Sequence, residues 1–222
     1  HLQYQPMPGG DLATLYPVRM LIGILSTFLD DWEIKEVLRK RKLYAGLRTE
    51  RELDIILMQA RHTRCIQTSS IGRVLDSLSA ILGVCLMRTY EGEPAIKLEA
   101  VARNGKILDD LNIRVIKDRS QWVVDTRRLF EDMMVMSGSV ASIAKTTQYL
   151  LGKALGEIAS KYLSNTDRQE IFVSGGAAVN DYIIMGIGDA VGVRVRLPRK
   201  VPPGDGGIAL GQVYIVGASH RD

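Results

Sequence analysis

The chain has 222 residues, 46% of them hydrophobic and 24% charged, with 29 Lys+Arg against 25 Asp+Glu for a net charge of +4. That apolar fraction excludes a disordered chain, and the length suits one large domain or two small ones at roughly 100–200 residues per domain. The charge surplus is too small and too evenly spread to point to nucleic acid, and no apolar run reaches the roughly 18 residues of a membrane-spanning helix.

The first ten residues, ending Pro6-Met7-Pro8-Gly9-Gly10, read as turn-rich and extended, because Pro and Gly disfavour a helix interior. Asp11 is placed to cap a helix after them. From Val18, residues Leu21, Ile22, Leu25, Phe28, Leu29 and Trp32 follow helical spacing. A second helix is predicted from Ile34 through Leu38, closed by the basic run Arg39-Lys40-Arg41-Lys42, which suits the negative end of a helix dipole. Leu53, Ile56, Leu57 and Ala60 form another helical face. Ser69-Ser70-Ile71-Gly72-Arg73 then leads into a helix through Val74, Leu75, Leu78, Ile81 and Leu82 that stops near Gly83.

Tyr90–Pro94 reads as a loop. After it, Ala95, Lys97 and Glu99 alternate with Ile96, Leu98 and Ala100, a period of two that predicts a strand. Asn104-Gly105 is a turn signal. Ile113 and Val115, then Trp122-Val123-Val124, flank Asp118-Arg119-Ser120 as a hairpin. Helices are predicted from Arg127 to Met136 and, after Ser139, in a long amphipathic run to Leu163. Glu170–Val173 is a strand, Val179–Ile187 a helix, Val191–Leu197 a strand and Ile208–Val216 a helix. This final third, strand, Gly-rich turn and helix twice over, gives an α/β organisation.

Three segments could carry chemistry. Val173-Ser174-Gly175-Gly176 through Asn180 runs from a strand over two glycines into a helix, where backbone N–H groups can meet an anion or a sugar hydroxyl; a plain strand–helix turn would look the same. Pro202-Pro203-Gly204-Asp205-Gly206-Gly207 sets a carboxylate among residues without side chains, suited either to a metal or ligand hydroxyl or to capping the next helix. Thr68–Asp76 puts Arg73 and Asp76 on one helix face, as a simple ion pair or as an anion contact beside a ribose acceptor. The basic run 39–42, with Arg48 and Arg51, lacks interleaved aromatics beyond Tyr44, which fits a solvated helix end or a surface for an acidic partner better than nucleic acid. Cys65 and Cys85 lack metal or disulfide spacing and read as two buried thiols in a reducing cytosol. The histidines, His1, His62 and His220, form no HExxH or HxxxH pair, and the opening at His1 reads as that of a piece of something longer.

Taken together, Thr68–Asp76, Tyr90-Glu91-Gly92-Glu93-Pro94 through Glu99, and Ser174-Gly175-Gly176 through Asn180 resemble the hydrogenase-maturation carbamoyltransferases, the HypF family. The tail Val201–Gln212 resembles that family's closing signature, and Pro8-Gly9-Gly10-Asp11 with Arg19 is similar to its passage past the first nucleotide-binding lobe. The resemblance is ordered and spans nearly the whole chain. It implies the second lobe of an actin/Hsp70-like α/β fold, a mixed sheet with flanking helices over 67–222, preceded by a helical lead-in over 1–66.

It also implies chemistry. In the family, carbamoyl phosphate and ATP give carbamoyl-adenylate in an upstream domain. The carbamoyl group then passes to the C-terminal cysteine thiol of a partner, HypE. By resemblance, Asp76 would hold the ribose, Gly92 or Glu93 would line the nucleoside pocket, and Gly175, Gly176 and Asn180 would contact the adenylate. Asp205 would bind a divalent metal (Fe, Zn or Mg) completed by ligands of the first lobe. That lobe's HxxxH pair and phosphate loop are not in the sequence, Gly204 replaces the more usual Asn, and Thr147-Gln148 replaces a usual Phe-His. The expected partners are the first lobe or upstream domains, a HypE-like acceptor and, through exposed apolar surface, a second copy. The expected location is the cytoplasm. The alternatives are a non-catalytic docking module and a relative of the tRNA threonylcarbamoyl transferases.

Overall fold

The computed structural model of the chain describes residues 1–109, 111–164 and 166–219, so His220 lies outside the described residues. The first half is mainly helical: β1 (Gln5–Pro6), α1 (Asp11–Leu15), α2 (Pro17–Leu25), α3 (Asp31–Lys40), α4 (Glu50–Arg61), β2 (Gln67–Thr68), α5 (Ile71–Ile81) and α6 (Glu93–Ala102). The second half comprises β3 (Val115–Asp118), β4 (Gln121–Val124), α7 (Thr126–Val135), α8 (Val140–Leu163), β5 (Glu170–Phe172), α9 (Asp181–Val191), β6 (Arg194–Arg196) and α10 (Ile208–Ser219). The strands form three two-stranded sheets: β1–β2 and β3–β4 antiparallel, β5–β6 parallel. The α/β organisation is therefore present as small sheets set among helices.

α2 is the hub. Every one of its residues is buried, and it packs against α4, α5 and α7. Its one charge, Arg19, is paired with Glu52. The helical spacing from Val18 to Trp32 is interrupted: α2 ends at Leu25, and Asp30 begins α3 by a capping box. Asp30 accepts from Glu33 N at 2.8 Å and Glu33 accepts from Asp30 N at 2.8 Å; such caps are worth about 1 kcal/mol. Trp32 consequently lies in the first turn of α3, 70% exposed. Asp11 is not a cap either; it is the first residue of α1, which begins after Gly10.

The expected strand after Pro94 is a helix, α6. The alternation of Ala95–Ala100 competes with a spacing of four, in which Pro94, Leu98 and Ala102 are buried and Glu93 pairs with Lys97 at 2.7 Å. Pro in the first turn removes only a donor that no helix there would use, so the longer period wins.

The β3–β4 hairpin has the expected turn at Arg119, which adopts a left-handed conformation. The N-terminus joins it: Gln3 N donates to Val124 O, and Val124 N to His1 O, both at 2.9 Å. One buried core runs from Leu2 to Ile187, so residues on both sides of the 66/67 boundary share it.

α8 and α9 cross at backbone contact. A Cβ added to Gly152 would lie 2.0 Å from Ile183 O, and one added to Gly186 would lie 2.1 Å from Tyr149 O. Only glycine permits this approach. α10 is different. All its residues are exposed, including Ile208, Leu210, Val213, Tyr214, Ile215 and Val216. A helix apolar all round is ordinarily buried.

Candidate functional site

The N-terminal turns of α5 and α6, and the turn before α9, converge on a cavity of about 360 Å³. Its walls include Ile71, Ala95, Ile96, Ala177 and Val179, and its polar groups include Arg73, Asp76, Arg88, Glu99 and Asn180. Of the residues expected to bind ligand, Asp76, Gly92, Gly176 and Asn180 line this one space. A larger, shallower hollow of about 580 Å³ lies at Ser26–Asp31, Arg61 and Arg127. Arg61 is already engaged there by Asp31, Ser26 O and Leu29 O, which leaves it little to offer a ligand.

Asp76 faces the cavity from the second turn of α5 and is 2% exposed. Arg73 Nη2 stands 2.9 Å from its Oδ2 as an ion pair, and Oδ2 is shielded from solvent with no further partner. Burial raises its carboxyl to about 6, against the opposing pull of Arg73 and Arg88. A carboxylate held by one ion pair, with no set of hydrogen bonds around it, keeps acceptor capacity that a ligand hydroxyl can use.

Gly92 precedes α6 in a left-handed conformation (φ 74°), which brings Ile96 one turn later onto the cavity wall. Glu93 is buried and turned into its own loop. It receives a hydrogen bond from Lys97, with Thr89 N and Thr89 Oγ1 (2.8 Å) also donating, and together these hold its carboxyl down at about 2. It braces the turn rather than lining the cavity.

Gly175 (φ 100°) and Gly176 turn the chain out of β5 into a 3-10 turn, Gly176–Val179. Gly175 N donates to Pro203 O at 2.7 Å, and a Cβ at Gly204 would stand 3.7 Å from Gly176 Cα. The two Gly-rich turns, far apart in sequence, therefore touch. Asn180 is 4% exposed. Its Oδ1 accepts from Ile183 N at 3.0 Å, which caps α9, and its Nδ2 donates to Gln148 Oε1 at 2.7 Å. Asp205 is exposed in the turn Asp205–Gly207. Among the described residues no three His, Cys, Asp or Glu side chains are gathered, so the described donors alone do not make a divalent-metal site.

Sequence reasoning missed Arg88, Ile96 and Val179, and met Gln148 only as a departure from the family's Phe-His. Ile96 was hidden by the strand reading; one turn after Gly92 on a helix, it becomes visible. Val179 lay inside the glycine motif as an apparent helix start. Arg88 carries no local signal. Cys85 is buried and Cys65 only partly so, and burial pushes both thiols up, away from reactivity. No helix among the described residues is long and apolar enough to cross a membrane.

A family model described as carbamoyltransferase, Kae1-like domain, second subdomain, matches residues 1–212. A probable carbamoyltransferase HypF of Methanocaldococcus jannaschii is 34% identical over 96% of this chain, which spans 27% of that protein. A carbamoyltransferase HypF homolog of Cupriavidus necator is 29% identical over 97% of the chain, 56% of its own length. The crystal structure of HypF from T. kodakarensis matches 99% of the chain at TM-score 0.84 and 32% identity, over 29% of that protein. A full-length HypF in a phosphate- and nucleotide-bound form matches 100% of the chain at TM-score 0.79 and 25% identity, again over 29% of its length. The chain therefore spans between about a quarter and just over half of these relatives.

Proposed function

Because the chain belongs to the HypF carbamoyltransferase family, we propose that its cavity is the nucleoside half of a carbamoyl-transfer site. The observation that carries this reading is buried Asp76, paired with Arg73 and set in the same cavity as Gly92, Gly176 and Asn180. The ionised carboxylate accepts from the ribose hydroxyls. Ile96 and Val179, 51% and 60% exposed, offer aliphatic faces to the base. Asn180 and the glycine turn contact the adenylate. The nucleotide-bound state of the full-length relative supports this reading.

The reaction is acyl transfer. The acceptor's thiolate attacks the carbamoyl carbon of carbamoyl-adenylate, the C–O bond to phosphate breaks, and AMP leaves with the electron pair. The thiol belongs to a HypE-like acceptor, so neither Cys65 nor Cys85 is needed. Any divalent metal near Asp205 takes its other ligands from outside this chain. The bare α10 packs against the first lobe of the longer protein.

The test is a calorimetric titration with ATP or a carbamoyl-adenylate analogue. The chain alone binds weakly or undetectably, and adding the first lobe restores binding. In that complex, Asp76→Ala or Asn180→Ala weakens it about tenfold or more. Unchanged affinity in both variants would overturn the site. Tight binding by the chain alone would overturn the half-site. A mass gain of one carbamoyl on the acceptor thiol identifies the transferase.

A further inference from the structure

We infer that Gln148 is a positioning residue for the nucleotide site, acting through Asn180; the inference rests on the nucleotide reading above. Gln148 sits on α8, fully buried beside Ala144 and Leu151. Burying an amide among apolar groups costs free energy unless its polar atoms are matched, and Leu or Met would fill the place at no such cost. The matching here is specific. Gln148 Nε2 donates to Ala144 O at 2.7 Å, which leaves Oε1 facing Asn180, whose Nδ2 donates to it at 2.7 Å. Asn180 Oδ1 then accepts from Ile183 N at 3.0 Å.

These three hydrogen bonds form one series with a fixed polarity. Turning the Asn180 amide by half a revolution would set Nδ2 against the Ile183 N–H and Oδ1 against Gln148 Oε1, two repulsive contacts. Gln148 is barred from turning by Ala144 O in the same way. An Asn side chain offers two donor hydrogens and two acceptor lone pairs. One of each is consumed in the series, and one of each remains for the cavity that Asn180 lines. The glycine-mediated α8–α9 crossing holds the two ends of the series together. The cap alone could hold Oδ1; only Gln148 holds the nitrogen end.

The experiment uses the chain combined with the first lobe and measures adenosine affinity by calorimetry for Gln148→Met, Gln148→His, Asn180→Ala and the Gln148→Met/Asn180→Ala double variant. Gln148→Met, close in volume and without a strong acceptor, loses about tenfold in affinity. Gln148→His, which as neutral imidazole still offers one acceptor and one donor, stays within about threefold of the parent. In the Asn180→Ala background, Gln148→Met changes affinity less than twofold, because the residue through which it acts is gone. If Gln148→Met does not fold, Gln148→Ala carries the same comparison. A second readout needs no ligand: in the chain's NMR spectrum the Asn180 Nδ2 protons are slow to exchange, and they lose that protection in Gln148→Met while the backbone spectrum persists. Parent-like affinity in Gln148→Met, or full additivity with Asn180→Ala, overturns the inference while leaving the nucleotide site intact. Adenosine binding that is absent from the parent complex, or indifferent to Asp76→Ala, overturns the nucleotide reading and this inference with it.

Discussion

Two buried carboxylates on neighbouring helices have opposite fates. Glu52 of α4 is enclosed by donors: Arg19 Nε at 3.1 Å, a closer contact from Arg19 Nη2, and Arg48 N at 2.6 Å. Burial pushes its carboxyl up, but Arg19 and the Arg48 and Thr49 N–H groups outweigh burial and hold it below its usual range. Asp76 of α5 is buried more deeply, 2% exposed against 8%, is paired with Arg73 alone at 2.9 Å, and burial lifts its carboxyl to about 6. Saturation marks the first as part of the framework. The sparsely satisfied carboxylate of the second, facing a cavity, marks it as part of a site, where the folded chain tolerates a cost that a ligand can offset.

The contrast breaks most visibly at Arg19. Arg19→Ala leaves Glu52 buried without its main partner, and denaturant unfolding shows a loss of about 3–5 kcal/mol. Replacing both, Arg19→Met with Glu52→Leu, recovers most of that loss, because the apolar pair has no charge to desolvate. A single variant that cost under about 1 kcal/mol would show that the pair is better hydrated than its burial implies.

Asp76→Asn has the reverse sign. The folded carboxyl lies at about 6 against an ordinary 3.8, so its contribution favours folding below about 3.8 and is lost as pH rises through about 6. At pH 7.5 the ionised group costs on the order of 2–3 kcal/mol, and Asp76→Asn removes that cost. The variant is more stable than the parent at pH 7.5, equal to it near pH 3.5, and about tenfold weaker for adenosine in the complex. Stability profiles that stayed parallel across that window would place Asp76 in a wetter setting than its neighbours suggest.

How much of this is legible in the sequence depends on how far each signal reaches. The hairpin, α8 and the C-terminal strand–turn–helix units were legible because each is written in its own residues. α6 was not, since six alternating residues satisfy a strand while Pro94, Leu98 and Ala102 satisfy a helix over a longer span. The break at Asp30 was readable from Asp30 and Glu33, yet apolar spacing ran past it. Resemblance selected Asp76 and Asn180, but nothing local says that residues roughly a hundred positions apart share a cavity. Glu93 and Gln148 show the limit most clearly. A glutamate beside Gly92 looks like a ligand and turns out to be braced, and a glutamine in a helical stripe looks like filler and holds Asn180.

Glu93 also supplies the finest test of the comparison, because it directly follows Gly92 of the cavity wall yet is engaged by donors as Glu52 is. Lys97 and Thr89 hold its carboxyl down at about 2. A depressed carboxyl favours folding above its ordinary 4.5 and loses that contribution as pH falls through about 2. Glu93→Gln keeps the shape and removes the charge. It is less stable than the parent at neutral pH, and the difference closes as the solution is acidified from 4.5 toward 2, read by thermal unfolding at each pH. Adenosine affinity of the complex stays within about threefold, since this carboxylate is engaged by three donors and does not line the cavity. If Glu93→Gln weakened binding as much as Asp76→Asn, saturation would no longer separate the framework carboxylates from the one that meets the ligand.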